Sequence, residues 1–348
     1  MHTPLFRPSP VDPAGAKPVE RRHDPRKVAQ GLLEGRRGVV ADHYSTGAEV
    51  LAQLTLIDPA PAPDESFEAR RAWQASHRAA ALNLLAPVRA HRLALGGGRP
   101  IGFLELLYPE RPELHLPFLQ LQELHGAWGR YREGVHLPVL GHRLHPFFGT
   151  YIPRRTEHLE LFAQWLHAWD GDHRHAIDVG TGSGVLAFLA ARRGFDRITA
   201  TDTNPNAVES VRRDVARQDP PPPVTAVVAD LFPEDTPAAD LIVFNPPWLP
   251  GTPGEPFDAA LEGPADLLER FFHRAVPRLA PGGRIVVLWS NIGQLVRPGT
   301  PCPLEAEVTR GRLSLSDRMS RRLKRGKGKG GKGRTRERVE LWVFAHPG

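Results

Sequence analysis

The stretch Ala176-Ile177-Asp178-Val179-Gly180-Thr181-Gly182-Ser183-Gly184-Val185-Leu186 sets three alternate glycines between a short apolar strand and the start of a helix. Glycine suits that turn because it reaches positive φ without a Cβ clash and lets the backbone approach a ligand closely. The next strand ends in Asp202, 22 residues after Gly180, where a carboxylate can accept both hydroxyls of an adenosine ribose. Dinucleotide folds space their glycines G-x-G-x-x-G and set a pyrophosphate on the helix N-terminus. Here the spacing is G-x-G-x-G, with Val185 where the third glycine would fall. Asp178 also brings a negative charge near the loop, which favours a cationic ligand over a pyrophosphate. The loop therefore points to S-adenosylmethionine as cofactor rather than NAD, with Thr181 and Asn204 beside it as further contacts.

Outward from this loop, strands alternate with helices, the pattern of a parallel sheet with crossover helices. The strand candidates are Ala176 to Val179, Ile198 to Thr201, Ala226 to Ala229, Leu241 to Phe244 and Ile285 to Trp289, with helices beginning near Gly184, Asn206 and Ala265. Upstream, Thr156 is placed to cap a helix with Leu159, Phe162, Leu166 and Trp169 on its apolar face. Glu305 to Phe344 reads as two antiparallel strands. The third strand runs into Asp230 and Leu231, an acid to take the adenine amine and an apolar cover for the ring. The fourth runs into Asn245-Pro246-Pro247-Trp248. Two prolines can continue neither strand nor helix, so they stiffen the backbone and leave carbonyls free for a ligand. The Asn245 amide oxygen and the Pro246 carbonyl can each accept one N–H of a planar NH₂ group, and Trp248 can stack on a flat substrate. Catalysis would then rest on alignment and on acceptors placed where positive charge develops.

On these residues, Phe148 to Gly348 resembles class I S-adenosylmethionine-dependent methyltransferases, and the Asn-Pro-Pro-aromatic signature resembles the branch that methylates planar amines. That branch includes enzymes acting on adenine or guanine amines of RNA and DNA and the release-factor glutamine methyltransferases. The resemblance implies a glycine loop at Gly180, Gly182 and Gly184, a ribose acid at Asp202, an adenine-side acid at Asp230 and an amine site at Asn245 to Trp248. Ile152-Pro153-Arg154-Arg155-Thr156-Glu157 resembles the Arg-Pro-Glu-Thr stretch before the domain in the glutamine enzymes, with Arg155 where a proline would stand. The fold expected is α/β, a Rossmann-like, doubly wound, mainly parallel seven-stranded sheet, preceded by an N-terminal helical accessory domain.

Six prolines between Pro4 and Pro25 mark residues 1–25 as a flexible leader. Residues 26–146 read as the helical, substrate-recognition domain and 147–348 as the methyltransferase domain. Within the accessory region, Thr46 and Glu49 can form a capping box, Ser66 can cap a helix running to Leu85, and a hairpin is expected over His136 to Phe148. At 348 residues with 41% hydrophobic and 24% charged residues, the chain has globular composition, which excludes wholesale disorder. The single cysteine, Cys302, excludes a disulfide framework. No metal is expected, because His136, His142 and His145 have no cysteine or carboxylate cluster beside them. No apolar run is long enough for a membrane span, and a cytoplasmic location is expected.

The net charge of +6 is uneven. Eleven Lys or Arg and the one acid Glu337 fall between Arg318 and Arg338, leaving 34 basic against 38 acidic residues elsewhere. So dense a cationic segment can neutralise several phosphates, which implies nucleic acid, and RNA in particular, as partner. The activity expected is N-methylation of a nucleobase amine. The alternatives are N-methylation of a protein glutamine amide and a non-catalytic scaffold that binds cofactor or RNA. A nicotinamide-dependent oxidoreductase is disfavoured by the glycine spacing.

Overall fold

The computed structural model describes residues 4–61, 67–153, 155–250, 262–323 and 336–347. It divides into one unit formed by Arg7–Arg132 and a second formed by the residues up to Phe6 together with Glu133 onward. The division falls earlier than the expected boundary at residue 146.

The first unit is not purely helical. Strands β1 (Lys17–Val19), β2 (Gly38–Val40), β3 (Leu84–Arg89), β4 (Arg92–Leu93) and β5 (Leu114–Pro117) form one sheet, with helices α1 (Pro25–Leu33), α2 (Tyr44–Ile57), α3 (Phe67–Leu82), α4 (Phe103–Leu107) and α5 (Phe118–Glu133) between them. Strands this short leave too little alternation to register as strands. The leader is likewise structured in part: Pro18 sits in the edge strand β1, where its missing N–H costs no necessary ladder bond. Helix α2 starts earlier than the capping box implied. His43 caps it by accepting from the Ser45 N–H, while the Thr46 hydroxyl bonds back to Asp42. Leu84 and Leu85 belong to β3, so α3 ends sooner than expected, and Ser66 lies outside the described residues.

In the second unit Phe6 is fixed by paired hydrogen bonds with the Asn206 side chain, at 2.8 Å each. Strands β6 (Val135–Leu137) and β7 (His142–Leu144) make the expected hairpin. Helix α6 (Glu157–Ala168) follows, though Thr156 turns its hydroxyl to the Glu160 carboxylate instead of capping the backbone. The chain then runs β8 (His175–Val179), α7 (Val185–Arg193), β9 (Arg197–Asp202), α8 (Pro205–Ala216), β10 (Val224–Val228), β11 (Ala239–Phe244), the short pair β12 (Leu249–Pro250) and β13 (Glu262–Gly263), and α9 (Leu267–Ala275). It ends with β14 (Leu279–Ser290), α10 (Ile292–Val296), α11 (Pro303–Arg310), β15 (Ser314–Arg322) and β16 (Arg338–Ala345). Helix α11 occupies part of what the sequence suggested as strand.

The main sheet has seven strands in the order β10-β9-β8-β11-β14-β16-β15. The four pairings from β10 to β14 are parallel, and the two involving β16 are antiparallel. Alternating strand residues feed two cores, as a sheet covered on both faces requires. Leu241, Val243, Val286 and Leu288 pack with Phe162 and Val211 on the side of α6, α7 and α8. Ile242, Phe244, Ile285 and Val287 pack with Phe271 and Leu304 on the side of α9 and α11. Strand order reverses between β8 and β11, and a ligand crevice opens at such a reversal, outside the carboxyl ends of the strands. Among the described residues no helix is long and apolar enough to cross a membrane.

Candidate active site

A cavity of about 330 Å³ lies at that reversal, walled by the loops after β8, β9, β10 and β11. The glycine turn shapes it. Gly180, Gly182 and Gly184 have φ of 63°, 52° and 82°, values that L side chains adopt only with strain. A Cβ on Gly184 would lie 2.9 Å from both the Phe188 ring and a Val211 methyl, so the start of α7 is pressed against α8. Gly184→Ala should therefore destabilise the protein by about 2–4 kcal/mol, combining left-handed strain with overpacking. Urea denaturation reads this, and an unchanged midpoint would mean that the turn is not held there.

Asp202 locks the same turn from the neighbouring strand. One carboxylate oxygen accepts the Gly182 N–H at 2.9 Å and the other accepts the Asn204 N–H at 2.8 Å. Burial pushes its carboxyl up, opposed by those backbone hydrogen bonds. Asn204 caps α8 through its side-chain oxygen and donates to the Gly149 carbonyl at 2.9 Å, closing the floor of the cavity.

Asp178 does not reach the cavity. It is 1% exposed, beneath the turn, and one oxygen accepts from the Thr181 hydroxyl at 2.7 Å and the Ala187 N–H at 3.0 Å. The expected contact with a cationic ligand is thus replaced by a bond between strand and helix. Removal from water pushes this carboxyl up to about 7, against its hydrogen bonds and with Asp202 adding to the rise. A carboxyl whose folded value exceeds its unfolded one contributes most at low pH, and that contribution is lost as pH rises from about 4 towards 7. Asp178→Asn keeps an acceptor and removes the charge. Its stability should change less than the wild type's between about pH 5 and about pH 8; the same change in both proteins would exonerate Asp178.

At the other side, Asp230 lines the cavity but pairs with Arg270 at 3.1 Å, and Arg274 stands 3.8 Å away. Leu231 takes a positive φ of 63° and is buried, its carbonyl held by the Thr201 hydroxyl at 2.7 Å. Arg270 was not read from the sequence. Its signal is the Arg270 and Arg274 pair one helical turn apart on α9, which places both guanidiniums on one face.

Asn245 lines the cavity, and its Oδ1 is buried with no hydrogen-bond partner among the described residues. Leaving such an acceptor unmade costs about 1–3 kcal/mol. Pro247 also lines this cavity; Pro246 and Trp248 do not. They face a second cavity of about 260 Å³ that shares Pro247, Gly263, Pro264 and Leu267 with the first. Trp248 donates its indole N–H to the Leu288 carbonyl at 3.3 Å and meets His158 edge to face. It is therefore fixed in the wall of the second cavity instead of standing free to stack. His158 is buried, and burial lowers its pKa to about 4, so it presents no cation at neutral pH.

Tyr151 lines the cavity and Arg155 does not; Arg154 lies outside the described residues. Of the basic segment, Arg318 and Arg338 both bind the buried Glu340, at 2.9 and 2.6 Å, and Arg321 binds Glu160 at 2.5 Å. Residues 324–335 of that segment lie outside the described residues.

The glycine turn, Asp202 and Asn245 line one cavity at the sheet's reversal. Residues 159–295 match the family model described as methyltransferase small domain. The chain carries a methyltransferase domain. S-adenosylmethionine is its methyl donor, and the turn, Asp202 and the cavity fit that group. A Methanocaldococcus jannaschii relative named as a protein N5-glutamine methyltransferase is 28% identical over 167 residues, covering 46% of this chain and 78% of its own. A ribosomal protein L11 methyltransferase of Pelobacter propionicus is 36% identical over 138 residues, covering 38% of each chain. The chain thus spans well under half of that second relative. The solved ribosomal protein L11 methylase of Lactobacillus delbrueckii subsp. bulgaricus aligns over 57% of this chain and 82% of its own, with a TM-score of 0.39 and 16% identity.

Proposed function

We propose that the protein methylates the planar amine nitrogen of a nucleobase, in structured RNA. The observation that carries this reading is the buried, unpartnered Asn245 Oδ1 beside the rigid Pro246-Pro247 pair, where two cavities share a wall. S-adenosylmethionine, when bound, supplies an electrophilic methyl group on a sulfonium. Asn245 Oδ1 and the Pro246 carbonyl accept the two N–H groups of the amine and turn its lone pair towards that methyl. When bound, that group would supply its methyl to the nitrogen lone pair and keep the S–C bonding pair as a neutral thioether, and one N–H proton would pass to solvent. No strong base is needed, since the nitrogen becomes acidic as the bond forms. Asn245 and Pro246 also stand where that positive charge develops, so they stabilise it more in the transition state than before it.

RNA is favoured by the density of Lys and Arg between Lys324 and Arg334, which suits phosphate neutralisation. The first unit is proposed to recognise the substrate. Deleting Gly326 to Gly333 should flatten the dependence of RNA affinity on salt; an unchanged slope would remove the segment from RNA binding. A protein glutamine amide is the second reading, favoured by the name of the M. jannaschii relative. Labelled-methyl transfer into separated RNA and protein fractions distinguishes them.

A further inference from the structure

A buried polar cluster at the wall of the cofactor cavity takes no part in holding the amine. Its centre is Asn206, fully buried, with Gly149 and Tyr151 lining the cavity from one segment and Asn204 and Ala207 from another. The Asn206 side chain joins those segments to the start of the chain. Nδ2 donates to the Phe148 carbonyl at 2.7 Å and to the Phe6 carbonyl at 2.8 Å, and Oδ1 accepts the Phe6 N–H at 2.8 Å. The Asn206 backbone adds two bonds: its carbonyl accepts from the Thr150 hydroxyl at 3.1 Å, and its N–H donates to Asn204 Oδ1 at 3.0 Å. Two of the three bonds that this buried side chain makes therefore go to Phe6.

Phe6 also contributes its ring, which stacks on Phe148 with the planes 7° and the centroids 6.3 Å apart. A Cβ on Gly149 would lie 3.5 Å from the Phe6 ring, and the Gly149 carbonyl accepts from Asn204 at 2.9 Å. From Asn204 the bonds continue to Asp202 and through it to the Gly182 N–H. One hydrogen-bonded network thus runs from Phe6 to the glycine turn. A buried amide that loses its partners must find others or bear its desolvation. Without Phe6, the Asn206 side chain keeps only the Phe148 carbonyl among the described residues, and nothing holds the amide in the orientation that makes that bond. We propose that Phe6 is a positioning residue for the cofactor: docked on Asn206 and Phe148, it keeps Gly149 and Asn204 in the place that S-adenosylmethionine needs. Linkage makes the effect reciprocal, so bound cofactor steadies Phe6 by the same factor that docked Phe6 gains for the cofactor. The proposal concerns the cofactor wall alone and stands whichever amine is methylated.

The test uses the full chain with S-adenosylhomocysteine as probe. Phe6→Ala removes the stack and should weaken S-adenosylhomocysteine by about fivefold to tenfold in calorimetric titration. Phe6→Tyr keeps the ring and should stay within about twofold of the wild type. In the wild type, saturating S-adenosylhomocysteine should slow hydrogen exchange of the Phe6 amide, followed by NMR, by about the same fivefold to tenfold. A purely structural role would lower the urea midpoint of Phe6→Ala and move neither the affinity of the folded protein nor the cofactor dependence of exchange. If Phe6→Ala does not fold, exchange in the wild type decides alone. Unchanged affinity in Phe6→Ala, an equal loss in Phe6→Tyr, or exchange at Phe6 indifferent to S-adenosylhomocysteine would each overturn the proposal.

Discussion

Asn245→Ala should lower turnover by about 10²–10³-fold while S-adenosylhomocysteine affinity stays within about twofold of the wild type. The asymmetry follows from what the side chain does. Its Oδ1 has no partner among the described residues, so truncation breaks no hydrogen bond seen in the fold and relieves an unmet acceptor. In the proposed function, what it removes is one of two acceptors that orient the incoming amine and meet its developing charge. Single-turnover transfer and calorimetric titration on the same preparation read the two effects separately. Equal loss of both would make Asn245 a cofactor contact, and loss of neither would remove it from the chemistry.

Asp202→Ala should have the opposite signature, weakening S-adenosylhomocysteine by about 100-fold, or roughly 2.7 kcal/mol. The carboxylate accepts two backbone N–H groups, those of Gly182 and Asn204, and also lines the cavity. Its removal thus takes away the proposed ribose acceptor and releases the turn proposed to cradle the rest of the cofactor. Calorimetric titration checks this, and an affinity within twofold of the wild type would place the adenosine elsewhere.

The parts of this site that were legible in the sequence are those set by local backbone rules. Gly180, Gly182 and Gly184 announce positive φ, and all three have it. Asp202 ends a strand next to that turn, so its position follows from strand order. The Pro246-Pro247 pair announces rigid backbone at a strand end. What failed to show depends on burial and on partners far along the chain. Asp178 reads as a charge near the loop, yet its oxygen is taken by Ala187, nine residues on, once α7 forms above it. Trp248 reads as a stacking face, yet its N–H is tied to Leu288, 40 residues away. Asp230 reads as a free adenine acceptor, yet Arg270 from α9 reaches it. In the first unit, β1, β2 and β3 pair in parallel across long gaps, and each is too short to outweigh the helical spacing around it. Pro18, which argued for a loose leader, is tolerated because its strand is the sheet's edge.

The measurement that tests the central claim most directly is transfer of labelled methyl from S-adenosylmethionine to structured RNA by the full-length wild type and by Asn245→Ala, with the RNA then digested to nucleosides. The account predicts label in an N-methylated nucleoside with the wild type and at least about a hundredfold less with the variant. Label confined to protein glutamine, or equal labelling of RNA by both proteins, would contradict it.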